Sequence, residues 1–380
     1  MLKIINLAEN NKFIDFAINQ FNQLDNIDVS FYILQKSFNP NFIRNKNIIY
    51  FTDEKKLIET INKENPDYVI LHSFYFMHLK QLCKIKSKII ACSWGYDIYS
   101  DSNNKYTQLT KILNTKLYKD ETVKLLNDTP IIYKLFCLFR KVKHFFTREQ
   151  YWYNKLVNKF EYFSTILPYE FDLIKQKLPS IKRFEFKYIN PVDNQIKFRE
   201  NKNKEPIIII GNSADPSNNH ADILKLLEER KIKCKAYIPF SYPYDVKYYK
   251  ENLKNYAKTL KYTDCIFLDN YISRENYFEL LNSCSCAIYG FTEQQAIGNI
   301  YQMFRTGKKV FFFKDSKMYN YFSKQKLNIF NINDDLNSNI FNNYLTIKEQ
   351  KNNFNYVINN ENYKTYIEYL NNFLINLINK

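Results

Sequence analysis

Two kinds of run alternate along the chain: short unbroken apolar stretches, and longer stretches with apolar residues three or four apart. KIINLA (3–8), DVSFYIL (28–34), NIIYF (47–51), DYVILHSF (67–74) and KIIACSWG (88–95) are of the first kind, and each predicts a buried strand. A helix is expected from about residue 11, and DEKKLIETINKE (53–64) joins an acidic start to helical spacing. Such alternation predicts a parallel sheet with helices on both faces.

Residues 101–160 break the rhythm; they read as helical and include the basic, aromatic stretch YKLFCLFRKVKHFFTRE (133–149). YFSTILP (162–168) resumes as a strand, and the polar, unpatterned DNQIKFRENKNKEP (193–206) reads as a domain boundary. Beyond it the alternation restarts. The strands are IIIIG (207–211), CKAYIP (234–239), CIFLDN (265–270), CAIYGF (286–291) and KKVFFF (308–313), with helices near 219–230, 245–260, 273–284 and 294–306. The expectation is two α/β doubly wound domains, 1–195 and 196–345, and a terminal helical segment, 346–380, that packs back on the first.

Composition adds bounds. At 380 residues and 45% hydrophobic, the chain can build two cores. Seven cysteines show no CxxC, and MLKIINLAEN lacks a signal-peptide core, so reduced thiols in a cytoplasmic protein are expected. No apolar run reaches the roughly 18 residues of a membrane span. A net charge of +16 fits an anionic partner, but the crowding of Lys with Asn, Ile, Tyr and Phe reads mostly as compositional bias. No motif points to nucleic acid. Only five glycines occur, Gly95, Gly211, Gly290, Gly298 and Gly307, and each is expected to mark a tight backbone site.

Three motifs carry candidate chemistry. In GNSADPSNNH, a strand runs into Gly211, with Asn212 and Ser213 as donors, Asp215, Ser217 or Asn218 as caps for the next helix, and His220 as a phosphate partner. In GFTEQQAIGN, Thr292 is a candidate N-cap with Gln295 completing a capping box. Glu293 and Gln294 fall in the first helical turn, and Gly298 allows close approach. A carboxylate at Glu293 could grip ribose hydroxyls. In SWGYDIYS, Trp94, Tyr96 and Tyr99 could stack on sugar faces, and Asp97 could act as general base; His72 is the rival base. Tyr271, after CIFLDN, is a further candidate for the donor side. The adjacent Asp334 and Asp335 read as a turn and helix start, not a metal pair, and no metal or cofactor is expected.

These stretches resemble glycosyltransferase family 56, which transfers 4-acetamido-4,6-dideoxygalactose from its dTDP-sugar to a lipid-linked disaccharide. That family shows GNSxDxSNxH, QQxIG and WGxD stretches; here they stand as GNSADPSNNH, FTEQQAIGNI and SWGYDIYSD, with Pro216 inside the first. The likeness runs from the WG motif to about residue 313. It implies a GT-B architecture, two Rossmann-like domains facing a central cleft. The acceptor would lie on the first domain at Trp94 and Tyr96, and the nucleotide-sugar donor on the second. It also implies a lipid-linked or oligosaccharide acceptor, which gives the basic stretch 133–149 a reason to lie on an anionic membrane at the inner face of the cell membrane. The rival classes are a nucleotide-binding epimerase or oxidoreductase and an inactive sugar-nucleotide binder. The first needs a dinucleotide fingerprint, and KIINLAENNKF has no glycine.

Overall fold

The computed structural model describes residues 1–11, 13–35, 43–101, 112–131, 134, 135, 138, 139, 142, 146–191, 195–243 and 246–378. Its strands in the first half are β1 (Leu2–Glu9), β2 (Ile27–Leu34), β3 (Ile49–Phe51), β4 (Tyr68–His72), β5 (Lys88–Cys92), β6 (Tyr99–Asp101), β7 (Leu113–Thr115), β8 (Phe160–Ser164) and β9 (Lys182–Arg183). The second half holds β10 (Ile207–Ile210), β11 (Cys234–Pro239), β12 (Thr263–Leu268), β13 (Cys286–Tyr289), β14 (Lys309–Phe312) and β15 (Phe330–Asn331).

Two parallel sheets result. One runs β3-β2-β1-β4-β5-β8-β9, the other β12-β11-β10-β13-β14-β15. In each, strand order reverses beside the first strand, between β1 and β4 and between β10 and β13. Helices cover both faces, so the central strands must be apolar throughout. Tyr68 to His72 is buried at every position, as are Ile208, Ile209 and Ile210. Burying each such isoleucine is worth about 1.5–3 kcal/mol. The architecture is the doubly wound pair expected from the alternation.

Helix starts follow local chemistry. Asp53 caps Glu54–Glu64 by accepting the Lys56 N–H at 2.6 Å, and Ser273 caps Arg274–Ser283 through the Asn276 N–H. The terminal helix Tyr363–Ile378 buries Tyr366, Leu370, Leu374 and Leu377 against the first sheet, and Phe373 stacks on Phe184 at 4.4 Å.

The stretch 101–160 departs from its helical reading. It contains β7, which pairs in parallel with β6, followed by the helices Asp120–Asn127 and Glu149–Val157. The first of these helices crosses to the second sheet. Asp222 accepts the Glu121 and Thr122 N–H groups and the Thr122 hydroxyl, and Leu125 and Leu126 pack into the second core. The Asp334–Asp335 pair starts no helix; both carboxylates close a turn on Asn331.

Candidate functional site

Gly211 and Gly290 end adjacent strands β10 and β13 at the carboxyl edge of the second sheet, where open α/β sheets bind ligands. Asn218 Oδ1 accepts the Asn212 N–H at 3.0 Å, and its Nδ2 lies 3.3 Å from Ser213 Oγ and 3.1 Å from the Asp215 carbonyl. Asp215 caps a single 3₁₀ turn, Pro216–Asn218, by accepting the Ser217 N–H and hydroxyl. The long helix instead starts after Asn219, at φ +51°, with no side-chain cap. Asp215, Ser217 and Asn218 therefore do not cap the following helix. Ser213, Ser217 and Asn218 are buried, and Asn212 and Asp215 half-buried.

His220 lies behind the Gly211 turn. Its ring is fully buried, Nδ1 sits 3.1 Å from the Tyr249 hydroxyl, and burial pushes its pKa down to about 3. A neutral ring lodged behind Gly211 shapes the turn. A Cβ on Gly211 would lie 2.8 Å from His220 Nε2, which explains the glycine there.

The β13 turn is also not the capping box its sequence suggests. The helix begins at Ile297, after Ala296 at φ +56°, and no side chain caps it. Thr292 gives its hydroxyl to the Lys116 carbonyl at 3.0 Å, and Gln295 Nε2 donates to Ser217 Oγ at 2.6 Å. Glu293 and Gln294 thus lie in a loop before the helix, both buried, with Glu293 Oε2 and Gln294 Oε1 lacking hydrogen-bond partners. Gly298 is not a tight site: a Cβ there would meet no protein atom within 4 Å. Open space therefore lies over the first turn of helix Ile297–Arg305, beside N–H groups that the helix leaves unused. Gly290, by contrast, is needed for close approach, since a Cβ would fall 2.3 Å from the Asn218 carbonyl oxygen.

Across the cleft, Gly95 (φ +91°) touches the β13 turn; its Cβ would lie 3.2 Å from Gln294 Oε1. Neither expected base is placed to take a proton from an acceptor. Asp97 is fully buried and accepts from the Ser73 hydroxyl at 2.8 Å, the Phe74 N–H at 3.3 Å and the Trp94 N–H at 2.8 Å. That carboxylate organises two strand ends, including Ser73 at φ +70°. His72 is fully buried between Phe31, Phe186 and Tyr188. Its Nδ1 lies 2.7 Å from the Tyr188 hydroxyl and its Nε2 2.9 Å from Asn6 Oδ1. Since Trp94 Nε1 donates to Tyr188, that hydroxyl is free to donate to Nδ1, which puts the ring proton on Nε2. Burial holds the His72 pKa at about 3.

Trp94 is half-buried, with its indole edge against Tyr188, whereas Tyr96 is 44% exposed with its hydroxyl 2.6 Å from Ser73 Oγ. Tyr99 cannot stack on a sugar. It is buried and gives its hydroxyl to Glu170 at 2.6 Å. Tyr271 is exposed beyond the edge strand β12. In the basic stretch, Arg140, Lys141, Lys143 and His144 lie outside the described residues, while Leu135, Leu138, Phe139 and Val142 are exposed.

A cavity of about 170 Å³ opens between the lobes, lined by Lys116, Tyr118 and Lys119 from one side and Thr292, Glu293 and Asp315 from the other. Lys119 pairs with Asp315 at 2.9 Å. A larger hollow of about 650 Å³ follows edge strand β12 and the end of helix Lys247–Ala257, and no residue of the two glycine-ended turns lines it. Among the described residues no group of His, Cys, Asp and Glu could hold a metal ion, and no helix is long and apolar enough to cross a membrane. The sequence offered no sign of Lys116, Lys119 or Asp315. Glu170 was visible only as an acid one turn into a helix that Pro168 begins.

The model for the family described as "4-alpha-L-fucosyltransferase glycosyl transferase group 56" matches residues 163–365, more than half the chain. The fold is similar to an α,α-trehalose 6-phosphate synthase from Burkholderia multivorans (TM-score 0.61, 8% identity, covering 100% of this chain and 97% of that one). It is also similar to Anabaena HepE in complex with UDP (TM-score 0.59, 10% identity, 100% of both chains). A UDP-forming α,α-trehalose-phosphate synthase from Burkholderia vietnamiensis gives a TM-score of 0.58 at 7% identity, over 98% of this chain and 99% of that one. At these identities the likeness is one of fold, and the fold is GT-B.

Proposed function

The chain belongs to the glycosyltransferase group 56 family and is a glycosyltransferase; from that premise we propose that it takes its sugar from a nucleotide-diphosphate donor seated on the second lobe. The observation that carries this reading is the open space over Gly298 at a helix N-terminus, reached by a loop whose Thr292 and Glu293 line the cavity that bears Lys116 and Lys119. Helix N–H groups and lysines together suit a diphosphate, whose charge rises as the sugar leaves. That Anabaena HepE binds UDP supports a nucleotide diphosphate in this fold.

The proposed sugar is 4-acetamido-4,6-dideoxygalactose or a similar deoxyamino sugar, dTDP-linked. The fucosyl name of the family is in keeping with it, since fucose has the same 6-deoxygalactose skeleton. The acceptor is a lipid-linked saccharide of the cell envelope, entering past Trp94 and Tyr96. The enzyme works at the inner membrane face, held there by the basic stretch 133–149, with no metal in the transfer.

The test is release of nucleoside diphosphate from dTDP-4-acetamido-4,6-dideoxygalactose, with and without a polyprenyl-diphosphate-linked saccharide. Acceptor-dependent release supports the reading. Release from UDP-sugars alone would move the donor base to uracil, and no transfer from either would contradict the donor assignment.

A further inference from the structure

Ile131, Leu135, Leu138, Phe139, Val142 and Phe146 are helical, and all of them face solvent, from 45% exposed at Val142 to 76% at Phe146. At 3.6 residues per turn their spacing puts them within one arc about 100° wide. Lys134 falls outside that arc. A stripe of this width is what a helix normally turns towards a core, yet this one is turned towards water. Large apolar side chains gathered on one exposed face mark a contact surface.

Charge decides what covers it. Between Asp128 and Glu149 the chain has basic residues and no acidic one. A cationic, aromatic cluster follows. Tyr151 is exposed, and its ring centroid lies 5.0 Å from that of the half-buried Trp152. Arg148 sits over the Tyr151 ring, and Lys80 and Lys155 sit over Trp152. Tyr and Trp rings flanked by cations suit the level of lipid headgroups, and an apolar stripe with a basic flank suits the acyl boundary beneath. A second copy of this chain fits poorly, because it would bring the same basic stretch and a net charge of +16 to the contact. We propose that the stripe inserts into an anionic lipid bilayer, with Tyr151 and Trp152 at the headgroup level.

Basic residues draw the protein to the surface, and the stripe then holds it in the lipid. The stripe leads into helix Glu149–Val157, where Tyr153 packs on Phe74 and Tyr75 and gives its hydroxyl to the Asp97 carbonyl at 2.9 Å. Asp97 in turn accepts the Trp94 N–H. One helix therefore joins the inserted face to the turn that a lipid-linked acceptor would enter past. That link to the acceptor rests on the function proposed above; the insertion does not.

The experiment is flotation of the full chain with vesicles of phosphatidylserine and phosphatidylcholine in equal parts. It is run at low salt and at about 1 M salt, where the Debye length falls to about 3 Å. The wild type should float in both, less at high salt. A variant combining Leu135→Ser, Leu138→Ser, Phe139→Ser and Phe146→Ser should lose partitioning roughly tenfold or more at low salt, with an unchanged unfolding midpoint, since all four side chains are exposed. In a second protein, Phe139→Trp, the added emission should shift to the blue on vesicles and be quenched by lipid brominated on its acyl chains. Serine-variant flotation equal to wild type overturns the proposal, as does Phe139→Trp emission that acyl bromines leave unquenched. Should the serine variant fail to fold, the quenching decides. A wild type that stays off the vesicles also overturns it, and a mass that falls from dimer to monomer in the serine variant would then give the face to a second copy. Absence of sugar transfer to any acceptor would sink the proposed function and leave these readouts to decide the insertion by themselves.

Discussion

Asn219 accepts the Lys119 backbone N–H on its Oδ1 at 2.7 Å, tying the crossing segment of the first half to the start of a second-lobe helix. Its Nδ2 lies within 3.1 Å of the Leu117, Ser217 and Gly290 carbonyl oxygens. Asn219→Asp would set a carboxylate oxygen against those carbonyls in a fully buried place. Leaving such groups unsatisfied costs about 1–3 kcal/mol each. Thermal unfolding should show a fall of several degrees; an unchanged midpoint would mean the lobes are held together elsewhere.

Asp97 tests the difference between organising a site and reacting in it. Asp97→Asn replaces an acceptor of three donors with a group that has one acceptor oxygen, so stability should drop by about 1–3 kcal/mol. The folded fraction should keep the wild-type shape of its pH–rate profile. A general base would behave otherwise, with a rate loss of roughly 10²–10⁴-fold and no loss of stability.

Four buried groups shape stability against pH. His72 and His220 have folded pKa values near 3 against an ordinary 6.5, so their contribution is complete above 6.5 and is lost as pH falls towards 3. Glu170 and Glu293, at about 7 against 4.5, act in reverse: their contribution is complete below 4.5 and is lost as pH rises through 7. Between 4.5 and 6.5 the two pairs oppose each other, and below 4.5 the histidines act alone. Urea unfolding of His72→Gln should therefore show an acid slope shallower than wild type by up to one proton, about 1.4 kcal/mol per pH unit. Parallel slopes would show that His72 titrates normally.

Between Asp128 and Glu149 the chain has no acidic residue and carries Lys134, Arg140, Lys141, Lys143 and Arg148. Each basic residue near an anionic lipid surface contributes about 1 kcal/mol. Replacing Arg140, Lys141, Lys143 and Arg148 with Gln should release the protein from phosphatidylserine vesicles in a flotation assay and spare turnover of a short soluble acceptor. Retained flotation, or equal loss on both acceptors, would argue against a membrane role for the stretch.

The sheets were legible because parallel strands covered on both faces must be continuously apolar, and IIII at 207–210 or CAIY at 286–289 has no other easy reading. The two glycine-ended turns were legible for a related reason, since Gly211 and Gly290 stand where a Cβ would strike Asn218. What local pattern could not reveal was the partner. Thr292 and Gln295 have capping-box spacing, but Lys116 and Ser217, distant in sequence, take their side chains. Asp97 reads as an outward acid in WGYD until Ser73 and Phe74 are seen to bind it from the neighbouring strand end. The Tyr99–Glu170 hydrogen bond joins residues 71 apart in the chain, so no periodicity announces it.

The donor site is tested most directly at Gly298, where an added side chain meets no protein atom within 4 Å. Gly298→Leu leaves the fold unstrained and fills the space assigned to the nucleotide sugar. The measurement is calorimetric binding of dTDP and UDP to wild type and variant, with thermal unfolding recorded on both. The expected result is binding by the wild type, loss of that binding by at least tenfold in Gly298→Leu, and unfolding midpoints that agree. Equal binding by the two proteins would contradict a donor seated over the N-terminus of helix Ile297–Arg305.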